Sequence, residues 1–307
     1  MIEATMSLIL DTFISILKVI KKSRFPIIMN VHTSSKTCFV LGNGPSLDVD
    51  LSQGLDLFCS NDTFCVNQFA ESDLYKKIQP NYYIIADPGY WKKNVSDNNV
   101  AIRNRLIQNV LEKTTWPIKF LVPFQAKDLF ETVFKEKPNI QVVCYNNVPL
   151  SGANIVINKL FDFGLGNPRA QNVLIPALFY AIRYGYQKII LLGADHSWHE
   201  TVVLDDDNRV CMRDKHFYNK EAKLTPWSMG GQDGKLFTMD SLFLALSRMF
   251  AGYWKIQDYA TYRGVQIYNA SSVTYVDAFK RIHHTDVAKV LTNSAVPNSN
   301  TFSTLAK

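Results

Sequence analysis

Residues 36–45, KTCFVLGNGP, constrain the chain more than any other stretch. Thr37, Cys38, Phe39, Val40 and Leu41 make a short apolar run that reads as a buried strand, and Gly42, Asn43 and Gly44 break it at once. Pro45 suits the first turn of a helix, where a missing N–H costs nothing, and Ser46 can help satisfy free donors there. Strand, glycine turn and helix start together predict a phosphate cradle. Glycine lets the main chain approach an anion, and a helix N-terminus presents unpaired N–H groups to it. A nucleotide is the expected occupant; the alternative is an ordinary tight strand-to-helix turn. Leu47 stands where a dinucleotide fold places its third glycine, which disfavours NAD and FAD.

Further along, the pattern predicts an α/β chain. Apolar runs at 56–59 and 63–67 are followed by a strand over 81–86 that stops at Asp87-Pro88-Gly89, a helix over 98–113, and strands over 119–122 and 140–145. An apolar stripe of Val173, Leu174, Ala177, Leu178, Ala181 and Ile182 predicts a helix over 168–184, ended by Gly185. The run KIILL at 188–192 is the next strand, closing on Gly193, Ala194, Asp195 and His196. Helix followed by strand in this order implies a mostly parallel, Rossmann-like sheet with helices on both faces. Such sheets bind ligands beyond the carboxyl ends of their strands, which makes Asn67, Asp87, Asp195 and His196 candidate site residues. For Asn67 and Asp87 simple turn formation is the alternative.

Residues 197–235 lack clear periodicity and carry Asp205-Asp206-Asp207, His216, Tyr218 and Trp227. A stretch of that length predicts a lid, and its aromatic residues suit one that folds over ligand. A helix over 237–250, a strand over 265–268 and a closing helix begun by Asn269-Ala270-Ser271-Ser272 and running to Ile282 are expected after it. A frayed tail rich in Asn, Ser and Thr follows residue 291.

At 307 residues and a net charge of +6 without a long basic block, nucleic acid is not demanded as a partner. Cys38, Cys59, Cys65, Cys144 and Cys211 are odd in number and free of CxxC spacing, so reduced thiols in a cytoplasmic protein are expected and no zinc site follows. Residues 6–20, MSLILDTFISILKVI, are strongly apolar but carry Asp11 and Lys18, with Lys21, Lys22 and Arg24 just beyond. The stretch is too short and too charged to span a bilayer of about 20 apolar residues. It reads either as an amphipathic helix on the inner face of the cytoplasmic membrane or as a helix packed on the domain. No basic stretch precedes it and no small-residue cleavage site is evident, so a signal peptide is not expected.

GNGPSL, CVNQF, YYIIADP, GYQKIILLGAD and IYNASSVTYVDAF, taken in order, resemble the bacterial CMP-sialic-acid-dependent sialyltransferases of glycosyltransferase family 42 and the related MptE-like group. The likeness covers residues 38–282. It implies one Rossmann-like domain over 36–290 with a lid at about 197–235, preceded by a segment and linker over 1–35. It also implies a CMP-sugar donor, a surface glycan or lipid-linked acceptor, and chemistry without a metal or cofactor. By position, Asn43 matches the family's nucleotide-contacting loop Asn and Asn67 the Asn of its Cys-Asn-Gln-Phe segment. Asp87 stands where the family has another nucleotide-contacting Asn, and Asp195 matches the Asp of Gly-Ile-Asp-Phe-Tyr. Ser197 replaces the phosphate-binding tyrosine, and 227–233 lacks the family's catalytic histidine.

Transfer of a sugar needs a base for the acceptor hydroxyl and a stabiliser for the leaving phosphate. His216 and His196 are the candidate bases, because imidazole titrates near neutrality. Trp198, Arg213 and Tyr218 are candidate phosphate or sugar contacts, with lid packing as their alternative. Asp205-Asp206-Asp207 reads as a solvated loop rather than a metal motif. Two other readings stay open: an MptE-like diphosphokinase that uses ATP and magnesium on the same turn, and a non-catalytic nucleotide-sugar-binding protein.

Overall fold

A computed structural model describes residues 2–25, 36–213, 224–229 and 235–292. The chain begins with α1 (Ile2–Lys22) and enters the sheet at β1 (Thr37–Leu41). Short turns α2 (Leu47–Asp50) and α3 (Asp56–Cys59) lead to β2 (Asp62–Val66), and α4 (Leu74–Ile78) leads to β3 (Tyr82–Ile84). Next come α5 (Asp97–Lys113), β4 (Ile118–Pro123), α6 (Lys127–Val133), β5 (Ile140–Tyr145), α7 (Asn154–Asp162), α8 (Leu174–Arg183) and β6 (Lys188–Leu192). A small antiparallel sheet follows, β7 (Val202–Leu204), β8 (Val210–Arg213) and β9 (Leu224–Pro226). The chain closes with α9 (Met239–Arg263), β10 (Gln266–Asn269), β11 (Lys280–Arg281) and α10 (Val287–Thr292).

The main sheet has eight strands in the order β11-β10-β6-β1-β2-β3-β4-β5, and every pairing in it is parallel. Side chains alternate across a strand, so the apolar runs feed two cores. Cys38, Val40, Phe64, Val66, Ile189 and Leu191 pack with α7, α8 and α9 on one face. Phe39, Leu41, Cys65, Tyr83, Ile190 and Leu192 pack with α4, α5 and α6 on the other. Every residue of α8 is buried, which explains why its sequence is apolar nearly all round. The fold is therefore a doubly wound α/β sheet, as the alternation of apolar runs implied.

Four expectations change. The helix expected over 168–184 starts at Leu174, because Asn172 Oδ1 accepts from the amides of Leu174 at 2.9 Å and Ile175 at 3.3 Å and begins it there. The helix expected over 237–250 continues to Arg263, where Gly264 takes the left-handed conformation that ends it. No helix forms between Asn269 and Ile282. Thr274 Oγ1 donates to Ala194 O at 2.6 Å and Tyr275 N to Asp195 O at 2.9 Å, so this segment bonds to the end of β6 instead of to itself. Residues 197–235 are not devoid of regular structure, since β7, β8 and β9 lie within them. Asp205 sits at the β7–β8 turn and accepts from Arg209 Nε at 2.7 Å, a pairing internal to the hairpin.

The first helix docks on the domain by a polar face. Thr12 Oγ1 accepts from Ala153 N at 2.8 Å, Ser15 Oγ donates to Ser151 O at 2.6 Å, and Val19 is buried. Met6, Ile9, Leu10, Phe13, Leu17 and Ile20 are exposed. Among the described residues, no helix is long and apolar enough to cross a membrane.

Candidate functional site

The chain leaves β1 for β2 and steps outward to β5, then returns through α7 and α8 to place β6 on the other side of β1. Connections from these two neighbouring strands therefore diverge, which opens a crevice at the carboxyl edge. With strands about 4.8 Å apart, the ends of β2, β1 and β6 lie within roughly 10 Å of one another. That edge gathers Gly42, Asn43, Gly44, Pro45, Ser46, Asn67, Asp195 and His196, with Asp87 one strand further out.

Four of the five amides at the glycine turn and the helix start are engaged within the protein. Gly42 N donates to Leu192 O at 2.8 Å, Gly44 N to Gly193 O at 2.9 Å and Leu47 N to Gly44 O at 3.0 Å. Asp195 takes the Ser46 amide: its carboxylate accepts from Ser46 N at 3.0 Å and from Ser46 Oγ at 2.6 Å. A second buried carboxylate, Asp50, accepts from Gly193 N at 2.9 Å and Ser272 N at 2.7 Å, tying the ends of β1, β6 and β10 together. The glycines serve close approach of main chains. A Cβ on Gly42 would lie 2.2 Å from Gly193 O, and one on Gly44 would lie 2.1 Å from Asp195 Oδ1.

Beside this closed turn the edge is lined by amides. Asn43 Nδ2 donates to Val66 O at 3.0 Å, which brings Asn43 to the end of β2. Asn67, the next residue, has φ +48°, a left-handed conformation that Asn tolerates better than most residues. Its main chain is held by the Tyr83 hydroxyl, which donates to Asn67 O and accepts from Ala70 N at 3.1 Å. The Oδ1 of Asn67 is buried with no hydrogen-bond partner. Asp87, by contrast, is exposed and accepts from Gly89 N at 2.7 Å, capping the turn that follows β3.

His196 also holds a left-handed backbone, with φ +53°, and is only 8% exposed. Its Nε2 bonds to the Tyr253 hydroxyl, and that hydroxyl donates to Asn172 Oδ1 at 3.3 Å. A phenol has one proton to give, so donation to Asn172 requires His196 to carry its proton on Nε2 and leaves Nδ1 as the acceptor. Burial pushes the imidazole down to about 4. The Nδ2 of Asn172 is buried and unpartnered. Trp198 packs on His196 with ring centroids 4.9 Å apart.

Arg213 ends β8 on the small antiparallel sheet and is exposed. His216 and Tyr218 lie outside the described residues. Sequence reasoning missed Tyr253, Asn172, Tyr83 and Asp50. Asn172 had a legible signal, as an Asn just ahead of an apolar helix; Tyr253 had none, since a tyrosine within a helix reads as core.

Fold and edge together define a doubly wound α/β protein with Asn43 and Asn67 at the carboxyl edge beside its switch point. No family model matches the chain, and no curated protein does. A solved structure similar to it is that of the MAf glycosyltransferase from Magnetospirillum magneticum AMB-1, with 12% identity and a TM-score of 0.47. The alignment covers 91% of this chain and 39% of that one, so the chain spans about two fifths of that protein's length.

Proposed function

We propose that the chain is a glycosyltransferase that takes its sugar from a CMP-activated donor, with the cytidine seated against Asn43 and Asn67. The observation that carries this reading is the buried, unpartnered Oδ1 of Asn67, at the end of β2 beside the switch point. Leaving such an acceptor unpaired costs about 1–3 kcal/mol, and a ligand donor reaching this edge would remove that cost. The exocyclic amine of cytosine or a ribose hydroxyl supplies the missing donor. The resemblance of GNGPSL and CVNQF to the sialyltransferases supports the choice of nucleotide and of reaction class.

In this reading Asp195 is a positioning residue that holds the glycine turn, and phosphate contacts come from Arg213, Trp198 and Tyr218. His196 Nδ1 takes the proton of the acceptor hydroxyl as that oxygen attacks the anomeric carbon. The bond from that carbon to the donor phosphate breaks, and CMP leaves with the electron pair. His216 is the competing base, and His216→Ala against His196→Asn in a donor-consumption assay separates them: the base variant loses turnover and keeps CMP binding.

A thermal-shift series with CMP, CDP, UDP, GDP and ATP, each with and without magnesium, tests the donor. CMP is expected to raise the melting temperature without metal, because a ligand bound only to the folded state stabilises it by mass action. Stabilisation by ATP with magnesium alone overturns the reading in favour of a diphosphokinase.

A further inference from the structure

We propose that α1 anchors the protein to the surface of a bilayer that carries anionic lipid. The helix is docked the opposite way round from an ordinary surface helix. Thr12 and Ser15 face the domain: Ser15 Oγ donates to Ser151 O at 2.6 Å and accepts from Ser151 N at 2.9 Å, and Thr12 Oγ1 accepts from Ala153 N at 2.8 Å. Gly152, with φ +136°, allows the close fit, since a Cβ there would lie 2.4 Å from Thr12 Oγ1. The apolar residues Met6, Ile9, Leu10, Phe13, Leu17 and Ile20 are all exposed, Phe13 by 57% and Ile20 by 70%. At about 100° per residue they cover an arc of roughly 100° opposite the docked face. A continuous apolar surface of this kind marks a binding face.

Charge selects the occupant. The helix ends in Lys21 and Lys22, Arg24 follows, and all three are exposed, so a cationic end adjoins the apolar face. That combination fits an interfacial helix, with acyl chains under the apolar face and lipid phosphates beside the basic end. A second copy of the chain fits less well. Met6, Leu10, Phe13, Leu17 and Ile20 could form a seam, but Ile9 and Ile16 then occupy flanking positions that a water-soluble coil fills with charge. Beyond the basic end lies a cavity of about 350 Å³ lined by Lys22, Arg24, Phe124, Gln125, Asn146 and Asn147, polar enough to receive a head group. The last four of these follow the carboxyl ends of β4 and β5, so the basic end of α1 lies at the same edge of the sheet as the glycine turn.

Flotation of the full chain with vesicles tests this without reference to catalysis, so it stands or falls apart from the glycosyltransferase reading. The protein is expected to float with vesicles of phosphatidylcholine and phosphatidylglycerol and much less with phosphatidylcholine alone. Phe13→Ser with Leu17→Ser is expected to lower partitioning about a hundredfold with an unchanged melting temperature. Lys21→Glu with Lys22→Glu is expected to lower binding to the anionic vesicles about thirtyfold or more. Failure of the unaltered protein to float overturns the proposal. So does a dimer seen by light scattering that Phe13→Ser with Leu17→Ser dissociates, which assigns the face to a second copy.

Discussion

At the scale of single residues, the site combines unsatisfied amide atoms on Asn67 and Asn172 with several groups that are fully engaged. Asn67 carries both a left-handed backbone and an unpartnered buried oxygen. Asn67→Gly relieves both, because glycine accepts positive φ without a steric penalty. The variant is expected to be about 1–2 kcal/mol more stable than the parent in urea denaturation and to lose the CMP-induced shift, the pattern of a residue kept for binding at the expense of stability. Asp195 behaves in the opposite way. Asp195→Ala removes two hydrogen bonds to a buried carboxylate and leaves Ser46 N unpaired, so a loss of about 3 kcal/mol is expected, with Asn at the same position costing less.

His196 gives a pH dependence of definite sign. Its folded value lies at about 4, below the usual 6.5, so between those values the unfolded chain binds more protons than the folded one. Stability therefore rises with pH through this window, and the group's contribution, about 3 kcal/mol, is complete above pH 6.5 and lost as pH falls toward 4. His196→Asn, which keeps a residue tolerant of the left-handed region, is expected to flatten that part of the stability profile. An unchanged slope in the variant places the titrating group elsewhere.

At the scale of elements, the sheet was legible because parallel strands buried on both faces are continuous apolar runs, as in KIILL at Lys188–Leu192. The stretch from Asn269 to Ile282 was not, because Asn, Ser and Thr cap helices and also bond across loops. Here Ser271 Oγ accepts from Ala194 N at 3.0 Å, a partner 77 positions away that no local pattern reveals. The closure of the glycine turn escaped notice for the same reason. Ser46 and Asp195 are 149 positions apart, so a strand-glycine-helix signature looked like an open cradle. Asn67 was legible as a polar residue at a strand end, whereas its missing partner was not. The docking of α1 can be tested at this scale. Ser15→Ala strips both bonds from Ser151, and faster amide exchange over 6–22 is expected while the sheet stays protected. Unchanged exchange in α1 would mean that Val19 and its neighbours hold the helix without Ser15.

At the scale of the whole molecule, the eight parallel strands bring residues from distant parts of the chain to one edge, and both proposals concern that edge. A nucleotide held at the centre of the sheet and lipid phosphates met at the basic end of α1 would both lie along the carboxyl edge. The central claim is that Asn67 and Asn43 complete their hydrogen bonding on a cytidine nucleotide. Titration calorimetry of CMP into the metal-free protein, with Asn67→Gly in parallel, tests it most directly. Saturable binding at one site that the substitution abolishes is the expected result; no heat from CMP, or equal binding by both proteins, contradicts it.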